Sequence, residues 1–499
     1  MKLTILGGGG FRVPLVYEAA ATGATGLRID EIALQDLDPA RLRAIERVIT
    51  ELGEELRDQG RAVGPLPRLV ATTDLRDAVT GADFVFSAVR VGGAEGRTVD
   101  ERVALDLGLL GQETVGAGGL AYALRTLPVA LEIARTIAEV APQAWTITFT
   151  NPAGIVTEAM RGVLGDRVVG ICDTPIGLVR RVGRLIGEDI DAPSALDRID
   201  IDYVGLNHLG WLRGLSVDGR DRLPGILADD ASLEEIEEAR LIGFDWVRTM
   251  GALPNEYLYY YLFTERARER ILSAGATRGE FLVQQQGRFY REVAGTGDAG
   301  GAVTGTEVAG TERTEAGAGG DDSPLAAWRA TLHEREATYM AESREADEER
   351  READVAGGGY QEVALRLMTA IATGRTERMI LDVGNAPAGT AASADPSTRI
   401  VPQLPADLVL EVPCLVDGEG VHPQAVGPVP LDQLGLMAQQ RGAERCILEA
   451  ATSTDPARAR AAAWEGFATH PLVRSVELGA HLVDAYAARQ RSIGELLGE

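Results

Sequence analysis

Lys2 is the only lysine in the 499 residues, so neither a Schiff-base lysine nor a phosphate-loop lysine is available deeper in the chain. Anion binding falls to arginine. Cysteine is nearly as scarce: Cys172, Cys414 and Cys446 lie far apart, too few for a disulfide framework and in keeping with a reducing cytoplasm. The chain opens on a strand-like run at Lys2 without a basic and apolar export segment, and it has no apolar run of about 18 residues. A cytoplasmic protein with no membrane partner is expected. Basic residues are also in deficit, 49 Lys and Arg against 75 Asp and Glu for a net charge of -26. Such a chain repels phosphate backbones and anionic lipid. No nucleic acid is expected, and a small molecule is the expected partner.

What the chain does have is core: 45% of its residues are hydrophobic, enough for more than one domain at this length. The apolar run Leu3 to Leu6 leads into Gly7-Gly8-Gly9-Gly10, and Val13 to Ala21 reads as a helix. A second buried-strand pattern starts at Glu31 and closes with Asp36-Leu37-Asp38, followed by an amphipathic stretch from Pro39 to Leu56. Further β-rich runs at Ala82 to Val89, Trp145 to Thr150 and Val168 to Cys172 adjoin helical patterns. Alternation of this kind predicts an α/β protein with a Rossmann-like, doubly wound parallel sheet.

The pattern changes near Ile199, where a strand-like run to Val204 precedes long charged stretches, Ala231 to Arg248 and Trp328 to Arg351, that read as helices. A boundary there predicts an NAD-binding domain over 1–198 and an α+β substrate and metal domain over 199–499. Between Ala294 and Asp322 the composition falls to Gly, Ala, Thr and Glu, which predicts a flexible excursion without chemistry. Apolar runs return at Met379 to Val383 and Leu408 to Val416.

Gly7 to Gly10 sit where a first strand turns into its helix, the place at which a dinucleotide fold brings backbone amides to a pyrophosphate. Arg12 stands where the usual third glycine would be. Asp36, at the end of the second strand, is placed to accept hydrogen bonds from an adenosine ribose, which favours NAD over its 2′-phosphate relative. The bland alternative is a glycine-rich turn with no ligand.

Cys172 ends a predicted strand at the carboxyl edge, where open α/β sheets build their sites, and Asp173 follows it. One thiolate and one imidazole, His208, completed by substrate oxygens and water, would make an open catalytic metal site. Taken singly, Cys172 reads more often as a buried apolar residue and His208 as a satisfied polar one. Tyr257, Tyr259, Tyr260 and Tyr261 cluster in a chain with only 5% aromatic residues. Helical spacing places Tyr257 and Tyr261 on one face and Tyr259 elsewhere. A tyrosine beside a metal can serve as a base.

The segments Gly7-Gly8-Gly9-Gly10, Gly111-Gln112-Glu113-Thr114, Thr150-Asn151-Pro152, Cys172-Asp173-Thr174-Pro175, Gly205-Leu206-Asn207-His208 and Pro254-Asn255-Glu256-Tyr257 together resemble the family four glycoside hydrolases. The likeness extends through Gly358-Gly359-Tyr360 and Glu411-Val412-Pro413-Cys414, so it covers nearly the whole chain. It implies an NAD- and manganese-dependent glycosidase, an exception to the two-carboxylate scheme. In such enzymes NAD takes hydride from sugar C-3, a base removes the acidified C-2 proton, the C-1 group leaves, and water addition and hydride return complete hydrolysis. By motif match, Cys172 and His208 would hold the metal, Tyr257 would be the base and Asp173 the acid.

Cys-Asp at the site is similar to the 6-phosphoglucosidases of that family. Arg90, Arg278 and Arg12 are the available cationic forks for a phosphate, with Asn151 and Asn207 for sugar hydroxyls. The anomer stays open: Asp after the cysteine is similar to the α-acting members, whereas Gly10 to Leu15 and Gly205 to Gly210 look more like the β branch, the reading we favour. A sulfonate or other anion at C-6 fits the same chemistry. The family further implies a homo-oligomer. An NAD-dependent sugar dehydrogenase and a catalytically dead sugar-phosphate sensor are the competing readings.

Overall fold

A computed structural model of the protein describes residues 1–23, 26–295, 323–344, 351, 359–390 and 395–499. The expected excursion near 294–322 falls almost wholly outside the described residues.

Four of the first five strands fall on the expected runs, β1 Lys2–Leu6, β2 Glu31–Gln35, β4 Phe84–Ser87 and β5 Trp145–Thr148, while β3 Arg68–Thr72, a half-exposed edge strand, lies outside them. They are joined by β6 Val168–Gly170, β7 Ile199–Leu206, β8 Leu209–Val217, β9 Arg220–Asp221, β10 Leu253–Pro254, β11 Glu377–Gly384, β12 Val409–Asp417 and β13 Gly420–Pro423. All thirteen belong to one sheet, ordered β10-β8-β7-β12-β11-β6-β5-β4-β1-β2-β3, with β13 on β12 and β9 on β8. From β3 to β6 the pairing is parallel. The order 3-2-1-4-5-6 is that of a doubly wound dinucleotide fold, whose chain order reverses between β1 and β4.

Beyond β6 every pairing is antiparallel. The α+β portion therefore extends the first sheet instead of building a separate one. Its junction is narrow: β11 meets β6 through Asp382 opposite Gly170, and β12 meets β7 through Glu411 opposite Gly205. These two cross-strand carboxylates lie directly behind the site.

Helices cover both faces, as a parallel sheet requires. On one side Val13–Ala21, Pro39–Asp58, Thr174–Leu185 and Tyr360–Thr373 bury Val16, Ile45, Leu178 and Met368. On the other, Gly116–Val140 and Ala153–Leu164 pack with the C-terminal helices Leu431–Thr452, Pro456–Thr469 and Val476–Arg489. The chain's last helices thus return to the first half of the molecule, where Arg445 Nε donates to Glu158 at 2.8 Å.

Two expected long helices are broken. Residues 231–248 form parts of three short helices, Asp230–Glu234, Glu237–Ile242 and Phe244–Met250, because Asp229 caps the first and Gly243 interrupts at φ +96°. The stretch from Trp328 leaves the helix Pro324–Ala337 at Thr338 and enters a short turn at Ala341–Ser343. Charge periodicity marked the exposed face but not these stops.

Candidate active site

At the carboxyl ends of β1, β4, β5 and β6 opens a cavity of about 970 Å³. Gly7, Gly10, Asp36, Arg90, Asn151, Cys172, Asp173, Asn207, His208, Tyr257 and Arg278 all line it. Gly8 and Gly9 do not; their amides turn to Gln35 O at 2.7 Å and Asp36 Oδ2 at 3.1 Å.

The glycine loop is tight for a physical reason. Gly7 holds φ +82°, and a Cβ there would sit 2.7 Å from Ala88 O, so β1 and the end of β4 approach as closely as backbone allows. At Gly8 a Cβ would meet Leu34 Cα at 2.8 Å. The following helix begins at Val13 without a side-chain cap from Arg12; Val13 N and Leu15 N donate to Gly10 O and Arg12 O at 3.1 and 3.2 Å, and Pro14 has no N–H. Asp36 accepts from Gly9 N and, through Oδ1, from Asp38 N at 3.1 Å, which fixes the carboxylate at the rim with acceptor capacity to spare. A close-approach backbone at Gly7 and an acidic residue after β2 fit a dinucleotide.

Cys172 lies two residues past β6, in the turn before the helix Thr174–Leu185. His208 comes from the two-residue turn between β7 and β8, at φ +128°, a conformation costly for a residue with a Cβ and held by the surrounding hairpin. That strain brings His208 Nε2 to 3.8 Å from Cys172 Sγ. Two metal bonds of about 2.3 and 2.1 Å meeting at a tetrahedral angle span roughly 3.6 Å, so the pair is spaced as two ligands of one ion. His208 Nδ1 faces Thr114 Oγ1 at 3.2 Å; a proton on Nδ1 leaves the Nε2 lone pair aimed at Cys172. Burial pushes the imidazole down to about 3 and keeps it neutral, as a ligand must be. Burial, with the charges of Glu411 and Asp173, pushes the Cys172 thiol up, so a cation must displace its proton. Among the described residues no group of three or more His, Cys, Asp or Glu forms a closed metal cage.

The Tyr257 ring stacks on His208 with centroids 3.7 Å apart and planes 4° from parallel. Its hydroxyl lies 2.9 Å from Tyr339 Oη, and Tyr339 donates to Glu256 Oε1 at 2.7 Å. Burial pushes the Tyr257 phenol up and the Glu256 charge adds to it, so a base at this position needs an adjacent cation. The helix starts only at Leu258, leaving Tyr257 at its N-cap. Tyr257 therefore neighbours Tyr260, with ring centroids 6.0 Å apart. Tyr261, expected on the same face, sends its hydroxyl to Gln440 instead.

Asp173 precedes the Thr174–Leu185 helix without capping it, and its charge acts on Arg12. Asn207 donates to Glu411 Oε1 at 3.4 Å, and Tyr203 donates to Glu411 Oε2 at 2.8 Å. The peptide Asn151-Pro152 is cis. Arg90 is paired with Glu113, which also binds Arg97 at 2.8 Å. Arg278 donates to Thr338 Oγ1 and to the carbonyls of Thr338 and Arg335. The residues that sequence reasoning missed are Thr114, Glu113, Glu256, Tyr339 and Arg335. The first three stand inside recognised motifs, whereas nothing local marks Tyr339 or Arg335.

The family model described as Family 4 glycosyl hydrolase matches residues 2–188, and that of the Family 4 glycosyl hydrolase C-terminal domain matches residues 203–473. A probable 6-phospho-beta-glucosidase of Bacillus subtilis (strain 168) is 28% identical over 492 residues, 97% of this chain and 95% of that protein. The maltose-6'-phosphate glucosidase of the same organism is 28% identical over 464 residues, 90% of this chain and 87% of that one. The 6-phospho-beta glucosidase of Thermotoga maritima, solved with manganese, NAD+ and glucose-6-phosphate, shares the fold at TM-score 0.73 and 21% identity, covering 99% of both chains.

Proposed function

The chain belongs to the family 4 glycosyl hydrolases, and from that membership we propose that it hydrolyses 6-phospho-β-glucosides with NAD and a divalent metal, manganese, as cofactors. The observation that carries this reading is the convergence of glycine loop, Cys172–His208 pair, Tyr257 and arginines on one cavity. When bound, NAD supplies a hydride acceptor and donor for sugar C-3, and the metal polarises the C-2 and C-3 oxygens. Cys172 and His208 hold the metal. Gly7 and Gly10 receive the pyrophosphate and Asp36 the adenosine ribose.

Tyr257 takes the C-2 proton; its flat stack on His208 and its hydrogen bond to Tyr339 hold its ring against one of the proposed metal ligands. Asp173 gives a proton to the departing C-1 oxygen. Addition of water reverses both transfers. Asn151 and Asn207 bind sugar hydroxyls, the latter steadied by Glu411. Arg90 and Arg278 face the C-6 anion.

Support for β comes from the Gly10 to Leu15 and Gly205 to Gly210 segments and from the Bacillus relative spanning nearly the whole chain. Asp173 after Cys172 and the maltose-6'-phosphate glucosidase favour the α reading. Elimination puts less demand on anomeric geometry than direct displacement, so both are chemically open. We place the enzyme in the cytoplasm as a homo-oligomer; no helix among the described residues is long and apolar enough to cross a membrane.

A panel of 4-nitrophenyl α- and β-glucosides, with and without a 6-phosphate, tests the reading with NAD and manganese present. The expected outcome is preferential cleavage of the phosphorylated β-substrate, dependent on NAD, with no net gain in NADH absorbance. Steady NADH accumulation would sink the hydrolase reading, and preference for the α-substrate would reverse the anomer.

A further inference from the structure

The turn after β1 is held by side chains that reach it from the far half of the chain. Tyr290 Oη donates to Gly9 O at 2.6 Å, Trp328 Nε1 to Phe11 O at 2.8 Å and Tyr360 Oη to Arg12 O at 2.9 Å. The donors stand on three different helices, Arg278–Gly295, Pro324–Ala337 and Tyr360–Thr373, and lie 281, 317 and 348 residues along the chain from their acceptors. Gly10 O, between them, accepts from Val13 N at 3.1 Å. Every carbonyl from Gly9 to Arg12 is therefore occupied, all but that of Gly10 by an aromatic donor from the second half. A tight turn leaves carbonyls without ladder partners, and here the second half supplies them.

Packing holds the same donors in place. The Phe11 ring meets Phe289 edge-on with centroids 5.2 Å apart and lies 6.2 Å from Trp328. Arg41 lies over the Tyr290 ring at 4.4 Å, and Tyr360 stacks on Phe149 at 4.3 Å. Buried phenols and indoles seek an acceptor for their polar tips, but three separate helices converging on one short stretch do more than satisfy themselves. They fix its orientation. The Phe11–Arg12 peptide is trans, since Asn151-Pro152 is the one cis bond among the described residues, so its N–H points opposite to the carbonyl held by Trp328. Gly10, Phe11 and Arg12 line the cavity, whereas Tyr290 and Trp328 do not. These two reach a bound dinucleotide only through the loop.

We propose that Tyr290, Trp328 and Tyr360 are positioning residues for the dinucleotide, holding the glycine loop of the first half in its binding conformation from the second half. Tight NAD binding then requires both halves docked on each other. This rests on the NAD reading of the glycine loop and adds the residues that keep the loop in shape.

The test uses the full chain and compares wild type with Tyr290→Phe, Tyr360→Phe and the double variant. Each removes a hydroxyl and keeps the ring, with its contacts to Phe289 and Phe149. Tyr486→Phe is the matched control, because its buried hydroxyl also donates to a carbonyl, Asp100 O at 2.8 Å, but in the core on the other face of the sheet from Phe11. NAD affinity is read by calorimetry without metal or substrate, beside thermal melting and amide hydrogen exchange over residues 7–16. Losing one hydrogen bond to the loop should weaken NAD binding roughly three- to tenfold and speed exchange there, with a larger effect in the double variant. Tyr486→Phe should bind NAD like wild type even where its melting temperature falls. NAD affinity equal to wild type in both loop variants overturns the proposal. So does an equal loss in Tyr486→Phe, which would mark general destabilisation. Weakening in Tyr360→Phe alone also overturns it, because Tyr360 lines the cavity and would then touch the dinucleotide directly. A wild type that binds no NAD sinks the cofactor reading itself, a result visible before any variant is made.

Discussion

In the proposed reaction two side chains carry the chemistry at the residue scale, and their conformations differ in origin. His208 is strained, at φ +128°, and the strain is what aims Nε2 at Cys172. Tyr257 is relaxed but placed, its ring on His208 and its hydroxyl on Tyr339. Tyr257→Phe keeps the ring and the stack, so stability should change little while kcat falls about a hundredfold or more. The substrate deuterium isotope effect at C-2 should change with it. Tyr259→Phe is the control, because Tyr259 does not line the cavity and its hydroxyl bonds the backbone carbonyl of Glu342 at 3.3 Å. Equal losses in both variants would return the aromatic run to packing. The motif segments made Cys172, His208 and Tyr257 legible; Tyr339 was not, since it lies 82 residues from its partner in a helix turn with no signature.

The glycine loop is the element whose demands are sharpest. Gly7→Ala would force a Cβ to 2.7 Å from Ala88 O at φ +82°, at a cost of about 1–3 kcal/mol. Denaturant melts should show that loss, and an NAD titration should show weakened binding as β1 and β4 are pushed apart. Wild-type values for both would mean the loop yields where the structure shows it rigid. The strands β1, β2 and β5 followed from apolar runs ended by turn residues, because buried parallel strands are nearly continuous hydrophobic segments. The helices of the second half were harder. Their polar faces run on past the true stops, so Gly243 and Thr338, and not periodicity, set the ends.

On the scale of the whole molecule, burial controls the acid response. His470 is fully buried, accepts from Leu472 N at 3.1 Å through Nδ1, and has no partner on Nε2 among the described residues. Burial pushes it from 6.5 down to about 3. Between those values the unfolded chain binds a proton that the folded chain refuses. Its stabilising contribution is therefore complete above 6.5, eroded as pH falls, and lost by about 3. Urea midpoints at about pH 7 and about pH 4 should differ in that direction, and His470→Gln should flatten the difference. A slope unchanged by the substitution would place the acid sensitivity elsewhere.

The sequence by itself determined most of the parallel half of the sheet, the glycine turn with Asp36 after β2, and the choice of Cys172 and His208 as a candidate pair. These are local: a strand, its turn and the next helix are written within a few tens of residues. Tertiary structure alone decided that β7 to β13 extend the same sheet, with Asp382 and Glu411 at the joins. It also decided that the helix Pro324–Ala337 and the turn after it bring Arg335 and Tyr339 to a cavity built on the first half. The reason is sequence separation. A cavity wall is a property of groups that meet only when the chain has folded, and no window along the sequence contains them together.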